Sequence, residues 1–203
     1  MKLVTLNKKN IYELADVFCE AFYKYPVMKY ILGEKEDYDN RLIKMVTFFV
    51  SARALRNEPM FGIYDQKDKL IAAAVVTLPG DIPITEELKS MRANLWKDLG
   101  KEEETRYEKY GEAASGLLPK EPHHHLNMIG VRNAHRGKGL ARQLINTVEE
   151  LVQKHSKTTG LSLNTEVESN VNFYLHLGYK LVGQTKVDKG IYTWGFFKQK
   201  EKR

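Results

Sequence analysis

Cysteine is nearly missing from this chain: Cys19 is the only one in 203 residues. That excludes an internal disulfide and any cysteine-rich zinc site. Cys19 lies in an apolar pattern at helical spacing, which suits a buried structural thiol better than a nucleophile. Long apolar runs are missing as well. No stretch approaches the ~18 consecutive apolar residues from which a membrane-spanning helix is read. The opening residues, Met1-Lys2-Leu3-Val4-Thr5-Leu6, lack the apolar core of a signal peptide and read as a strand. These absences are read as a soluble, cytoplasmic protein with no membrane partner. A strong excess of one charge is also lacking. The formal charge is +6 and the pI about 9.2. The cations are scattered among acids, with neither a basic stripe nor a helix-turn-helix pattern, which argues against nucleic acid. A local surplus serves an anionic small ligand equally well. There is no internal repeat or low-complexity segment, and the length suits one well-buried domain.

What is present is organised around Leu126 to Glu150. Met128 to Val131 reads as the end of a buried strand. Arg132 to Gly139 is a turn rich in glycine and cations. A helix follows with Leu140, Leu144, Val148 and Leu151 on one face. The first turn of a helix leaves backbone N–H groups unpaired, and its dipole places roughly half a positive charge there. Gly137 and Gly139 keep side chains away from those donors, and Arg136, Lys138 and Arg142 add whole charges. The stretch is therefore a candidate pyrophosphate cradle. Spacing excludes two common ones. Gly130 stands too far from Gly139 for a P-loop, and no Ser or Thr follows Lys138. The third glycine of a dinucleotide fingerprint is missing after Gly137-Lys138-Gly139.

Taken in order, Lys2 to Leu6 reads as a strand. Asn10 caps a helix through about Tyr25, with Leu14, Ala15, Phe18 and Phe22 on its apolar face. A short apolar turn runs from Val27 to Leu32, and a further helix carries Leu42, Met45, Val46 and Phe49. Met60 to Tyr64 and Leu70 to Leu78 form a hairpin ended by Pro79-Gly80-Asp81 and Pro83. Residues 85–118 read as a polar helical insertion broken near Gly100, too long for an ordinary loop. Its acidic run, Glu102 to Glu104, reads as a solvated first turn. His123-His124-His125 enters the next strand. Strand side chains alternate, so at most His123 and His125 point together, and no Cys, Asp or Glu stands at ligand spacing; no metal is expected. Leu161 to Thr165 is a strand, Asn170 to Leu177 a short helix, and Tyr179 to Lys186 with Ile191 to Lys198 a hairpin. Residues 199–203 form a charged, frayed tail.

Arg136-Gly137-Lys138-Gly139-Leu140-Ala141 fits the pattern [Q/R]-x-x-G-x-[G/A]. Asn170-Val171-Asn172-Phe173-Tyr174-Leu175-His176-Leu177-Gly178-Tyr179 approaches a second pattern, N-x-x-[A/F]-x-x-[F/Y]-Y-x-x-x-G-[F/Y], with fewer residues between Asn and Tyr. In this order the two motifs resemble the GNAT superfamily of N-acetyltransferases. The resemblance is close from Pro122 to Lys198 and holds for the front half only in element order. It implies a single mixed α/β GNAT domain over residues 1–203, built on a mostly antiparallel seven-stranded sheet with flanking helices. Strands four and five would splay after Val131 and Thr165. It further implies acetyl-CoA as co-substrate, with its pyrophosphate on Arg136 to Ala141. Its pantetheine arm would lie along the backbone of Ile129, Gly130 and Val131, beside Asn170 and Phe173, with the choice between Asn170 and Asn172 open. Arg132 is a further phosphate candidate, and the insertion would wall the acceptor site.

The chemistry sets three requirements. A lysine-like amine, with a pKa of about 10.4, must lose its proton before it attacks. The thioester carbonyl needs a fixed donor as it gathers charge, for which a strand N–H near Ile129 is the candidate. The departing thiolate leaves more easily when an acid protonates it, and Tyr174 matches the family's tyrosine in that role. No motif distinguishes a base: Glu166, His125 and Glu20 all qualify, and Glu166 and His125 are named. The expected activity is direct acetyl transfer to a primary amine of a small molecule, because Phe22, Tyr23, Tyr25, Met28 and Tyr30 give the expected pocket elements an aromatic, apolar character. A peptide or protein acceptor and a non-catalytic acyl-CoA sensor are the alternatives. A homodimer is left open.

Overall fold

The computed structural model describes residues 1–80 and 83–201. Seven strands form one sheet: β1 (Lys2–Leu6), β2 (Met60–Tyr64), β3 (Leu70–Thr77), β4 (His124–Val131), β5 (Gly160–Thr165), β6 (Lys180–Asp188) and β7 (Ile191–Gln199), in the order β1-β2-β3-β4-β5-β7-β6. Every neighbouring pair is antiparallel except β4 and β5. The exception matters. β4 and β5 pair only from His124 opposite Leu161 to Leu126 opposite Leu163, although both strands continue. Past that point they part, inside both strands and not after Val131 and Thr165 as expected, leaving the β5-facing edge of β4 without a strand partner.

Helices cover both faces. The helices α1 (Ile11–Phe22), α2 (Pro26–Leu32), α3 (Tyr38–Leu55) and α4 (Glu86–Leu99) gather on one side with Ala73, Val75 and Met128. The helix α6 (Leu140–Lys154) covers the other side with Ala72, Ala74, Val76 and Leu126, buried through Leu140, Leu144 and Val148 of the predicted stripe and also through Ile145 and Val152, while Leu151 is only partly buried. α5 (Lys101–Ser115) and α7 (Ser169–His176) complete the set. No helix among the described residues is long and apolar enough to cross a membrane.

Several local expectations change. Asn10 precedes α1, but its side chain makes no cap bond to that helix; it serves Asn7 in a preceding 3-10 turn, and α1 stops at Phe22. The insertion is helical with a break at Gly100, yet Glu103 is not solvated. It is 2% exposed and takes Lys35 Nζ at 2.8 Å, Arg41 Nη2 at 2.6 Å and Arg106 Nη2 at 3.2 Å. Three cations around one buried carboxylate fasten α5 to α3 and to the linker after α2. An acidic triplet reads as a surface until its partners, up to 68 residues away, are known. Gln199 ends β7 rather than starting a tail, and Lys200 is tied to Thr159 O and His155 O. Of the expected strand stop, Asp81 lies outside the described residues, as do Lys202 and Arg203 of the tail.

Candidate active site

The turn before α6 is built as the sequence requires. Gly137 and Gly139 hold φ of +75° and +78°, a left-handed backbone that residues with a Cβ enter at a cost of roughly 1–2 kcal/mol. A Cβ added at either would meet nothing within 4 Å, so the space in front of both is open. α6 has no side-chain cap and no acid in its first turn. Its leading N–H groups therefore keep no partner of their own, which is the condition for receiving an anion. A groove of about 1040 Å³ runs from this turn along the parted edge of β4. Its lining includes Ile129, Gly130, Val131, Arg136, Gly137 and Gly139, then Leu140, Ala141, Arg142, Asn170, Phe173 and Tyr174. Lys138 is not part of that lining; its ammonium reaches Ala134 O at 3.2 Å.

Two cations and a glycine that looked alike in sequence part ways here. Arg132 is 8% exposed, with Nη1 on Glu20 Oε2 at 2.7 Å, Nη2 on Asp16 Oδ2 and Nε on Leu70 O at 2.8 Å. It is an internal clamp between α1 and the sheet and has no fork left for a phosphate. Arg136 remains exposed, within 3.3 Å of Ala21 O. The same clamp removes Glu20 as a base. Burial alone would raise its carboxyl, but the bonds from Arg132 and the Asn133 N–H prevail and hold it below the usual range. Gly130 admits a close neighbour, though the neighbour is helix α1: an added Cβ would lie 2.8 Å from Ala21 Cβ and 3.0 Å from Phe18.

A second, more enclosed cavity of about 340 Å³ opens on the other side of the parting. Phe22, Tyr25, Met28, Phe49, Tyr107 and Tyr110 supply its aromatic and apolar walls; Arg53, His125, Asn127, Asn164, Glu166 and Asn170 supply its polar ones. Tyr23 and Tyr30 do not line it: Tyr23 flanks the groove, and Tyr30 donates to Asp188. A bulge re-aims the strand at this place. Met128 pairs with Val75 and Leu126 with Val76, so Asn127 is the extra residue of β4. The slip sends Leu126 into the α6 core and Met128 toward α1. Phe22, Tyr25, Ile129, Asn170 and Tyr174 line both spaces. Of the two asparagines left open, Asn170 is the one at this junction, bonded to Thr165 Oγ1 at 3.1 Å, while Asn172 is exposed.

The titratable groups at the junction are unusual. Glu166 is 7% exposed at the end of β5. Its Oε1 accepts from Thr193 Oγ1 at 2.8 Å and Tyr110 at 3.1 Å, and its backbone N–H donates to Tyr25 at 3.1 Å. Burial pushes its carboxyl above the ordinary range, and these bonds only partly restrain it. Tyr174 is 5% exposed, packed on Phe173, Tyr179 and Phe196, and burial with the nearby Glu166 raises its hydroxyl. Among the described residues that hydroxyl has no hydrogen-bond partner. Cys19 is half-buried and its thiol is pushed up to about 11 by burial and by Asp16 and Asp39, which removes it as a nucleophile. His125 sits 2.8 Å from Ser162 Oγ and is pushed down to about 3 by burial, with repulsion from His123 and Arg53. Such an imidazole is neutral at any working pH and is a weak proton acceptor. Among the described residues no cluster of three metal-ligating side chains occurs.

Those histidines carry a stability consequence. His124 is fully buried and pushed down to about 4, first by burial and then by His155. Below pH 6.5 the unfolded chain binds two protons that the folded chain refuses, so stability present at neutral pH is lost as the pH falls. The expected loss at pH 5 is on the order of 1–2 kcal/mol per histidine. Urea midpoints at pH 7.5 and 5 check it, and His125→Asn should flatten part of the dependence. A midpoint that does not move would remove both groups from the linkage.

Sequence reasoning missed Arg53, Tyr107, Tyr110 and Thr193. For Arg53 a signal existed: it falls one step beyond Phe49 on the apolar stripe of α3, where a cation has no business unless it serves a cavity. Thr193 gave none, because its contact with Glu166 exists only through the sheet.

Known proteins share this fold. A crystal structure from Corynebacterium glutamicum, described as histone acetyltransferase HPA2 and related acetyltransferase, superposes with a TM-score of 0.71 at 16% identity, over 95% of this chain and 94% of that one. The polyamine N-acetyltransferase of Drosophila melanogaster gives 0.67 at 15% identity, over 98% and 100%. A probable serine/threonine-protein kinase of Dictyostelium discoideum is 27% identical over 202 residues, which take in 89% of this chain. The chain spans only 21% of that curated relative's length, so the relative's name describes a much longer protein. The model of the acetyltransferase (GNAT) domain matches residues 89–196, more than half of the chain. The chain therefore belongs to the GNAT acetyltransferases, acyltransferases that depend on acetyl-CoA.

Proposed function

We propose that this enzyme moves the acetyl group of acetyl-CoA directly onto a primary amine of a small molecule. The observation that carries the reading is the junction of groove and cavity at Tyr174, Asn170 and Ile129. Acetyl-CoA supplies a thioester carbonyl and a thiolate leaving group. In our reading the N–H groups from Gly137 to Ala141, with Arg136 and Arg142, hold its pyrophosphate, and Lys138 adds charge from outside the groove. The backbone of Ile129, Gly130 and Val131 pairs with its arm along the parted edge, between Asn170 and Phe173. Open space before both glycines and the uncapped α6 support that fit.

Glu166 takes the proton of the bound ammonium, a task for which its raised carboxyl suits it better than an ordinary one. A backbone N–H near Ile129 meets the charge that gathers on the carbonyl oxygen. Tyr174 gives its hydroxyl proton to the departing sulfur. His125 stays neutral and shapes the cavity wall. A volume of about 340 Å³ is at the small end of sites for small molecules and is closed on one side by Tyr107 and Tyr110, which favours a small acceptor over a protein. The Drosophila relative, whose name specifies polyamines, supports a small amine as acceptor in place of a protein.

The decisive experiment is acetyl-CoA calorimetry followed in the same sample by thiol release against a panel of amines. Amine-dependent release is expected; binding with no release on any amine would favour an acyl-CoA sensor. Tyr174→Phe should leave acetyl-CoA affinity nearly intact and lower kcat about 10- to 100-fold, within the range for a lost general acid. Full turnover in the variant would make Tyr174 a packing residue only.

A further inference from the structure

Arg53 is the only cation among the described residues lining the cavity, and acetyl transfer as set out above gives it no role. It is held in place with care. Its Nε lies 3.0 Å from Glu58 Oε2, and its Nη2 donates to Asn127 Oδ1 at 2.8 Å. Asn127 in turn gives its amide hydrogens to Thr77 Oγ1 and His125 O, which fixes its oxygen toward Arg53. Glu58 is wholly buried and is shared with Arg56, whose Nε stands 3.5 Å from Oε1. Two guanidinium groups therefore lean on one carboxylate, and the group as a whole keeps a positive charge.

A guanidinium carries five N–H donors in a planar fork. One hydrogen of Nη2 is engaged and Nε faces Glu58 as an ion pair without a hydrogen bond, while Nη1 has no partner among the described residues. Arg53 lines a cavity whose apolar walls include Phe22, Phe49 and Tyr107. The fork matches two coplanar oxygens of one anion. The carboxylate that lines the same cavity, Glu166, is not that partner: it belongs to Tyr110 and Thr193. Arg53 stands beside Tyr107. Tyr107 and Tyr110 are three residues apart on α5, about 4.5 Å of helix rise. The cavity thus carries a carboxyl group on Tyr110 and a guanidinium beside Tyr107, two charges of opposite sign on one lining.

We infer that the acceptor is an amino acid, with its amine at Glu166 and its carboxylate on the fork of Arg53. The inference rests on the acceptor reading of the cavity given above. A diamine would set its second ammonium against Arg53, and a simple amine would leave the fork unpaired, so both are rejected. Arg53 is then the residue that sets specificity.

The test is kcat/KM at saturating acetyl-CoA for matched pairs: phenylalanine against phenethylamine, 4-aminobutyrate against propylamine, with putrescine as the diamine. The wild-type chain should prefer the carboxylate member of at least one pair by about tenfold or more, since a site built to bond a group discriminates against its absence. Arg53→Met should bring that ratio toward one, and Arg53→Lys, which keeps the charge without the fork, should fall between. Because Arg53→Met also strips a partner from buried Glu58, the wild-type ratio and Arg53→Lys stand as tests should that variant fail to fold. Equal or better use of propylamine, phenethylamine or putrescine by the wild type would overturn the inference, as would a ratio that survives in a folded Arg53→Met. Preference-free transfer sinks this inference alone. Acetyl-CoA binding without release of its thiol in the presence of any of the five compounds sinks the acceptor reading with it.

Discussion

Gly139→Glu is expected to weaken acetyl-CoA binding by two orders of magnitude or more while the chain still folds. The two halves of that expectation rest on separate observations. The space before Gly139 is empty, so a side chain there meets no protein atom within 4 Å of its Cβ. The cost to the fold is that of placing a substituted residue at φ +78°, roughly 1–2 kcal/mol. For the ligand the same space is the binding site. A carboxylate about 5 Å from a phosphate charge costs about 3 kcal/mol at an effective dielectric constant near 20, which is a factor of a hundred or more. It also turns an anion toward the unpaired N–H groups that the pyrophosphate would use. Calorimetry measures the affinity and thermal melting the fold. A folded variant with wild-type affinity would remove the α6 turn as the cofactor cradle.

How much of this was legible in sequence depended on whether the relevant partner was local. The turn before α6 carries its own reasons within ten residues, so its glycines, its uncapped start and its apolar stripe could all be read. So could the parting of β4 and β5, by resemblance. Arg132 could not. It sits in the same cationic turn as Arg136, and only Asp16 and Glu20, more than a hundred positions earlier, turn it from a surface charge into a buried clamp. Glu103 was hidden in the same way behind its acidic neighbours. The bulge at Asn127 left no mark in the alternation of β4, yet it decides which side chains enter the cavity. Arg53 was in plain sight as a cation on an apolar stripe, but a single exception to a pattern says nothing of its use until the cavity it lines is known.

Glu166→Gln should lower kcat/KM near neutral pH by about 10²–10³, within the usual contribution of a positioned base. The substitution keeps the volume and an acceptor oxygen for Thr193 and Tyr110, so the wall of the cavity stays in place. It removes only the capacity to take a proton. Stability should move the other way. With its carboxyl raised by burial, Glu166 binds a proton more tightly in the folded chain than in the unfolded one. The stability this provides is complete below pH 4.5 and is lost as the pH rises through the folded value. At neutral pH the wild type holds a buried charge that the amide does not, so the variant should melt at the same temperature or higher. Low activity in a chain at least as stable cannot be blamed on unfolding. The pH profile adds a signature that packing would not produce. The acid limb of wild-type kcat/KM should lie above the ordinary carboxylate range and vanish in the variant. Toward pH 10, where an ordinary amine with a pKa of about 10.4 is increasingly neutral in solution, the two enzymes should converge, because a free amine needs no base. Parallel profiles at all pH values, or a fully active variant, would leave Glu166 as a structural acceptor for Tyr110 and Thr193 and send the search for the base back to the cavity wall.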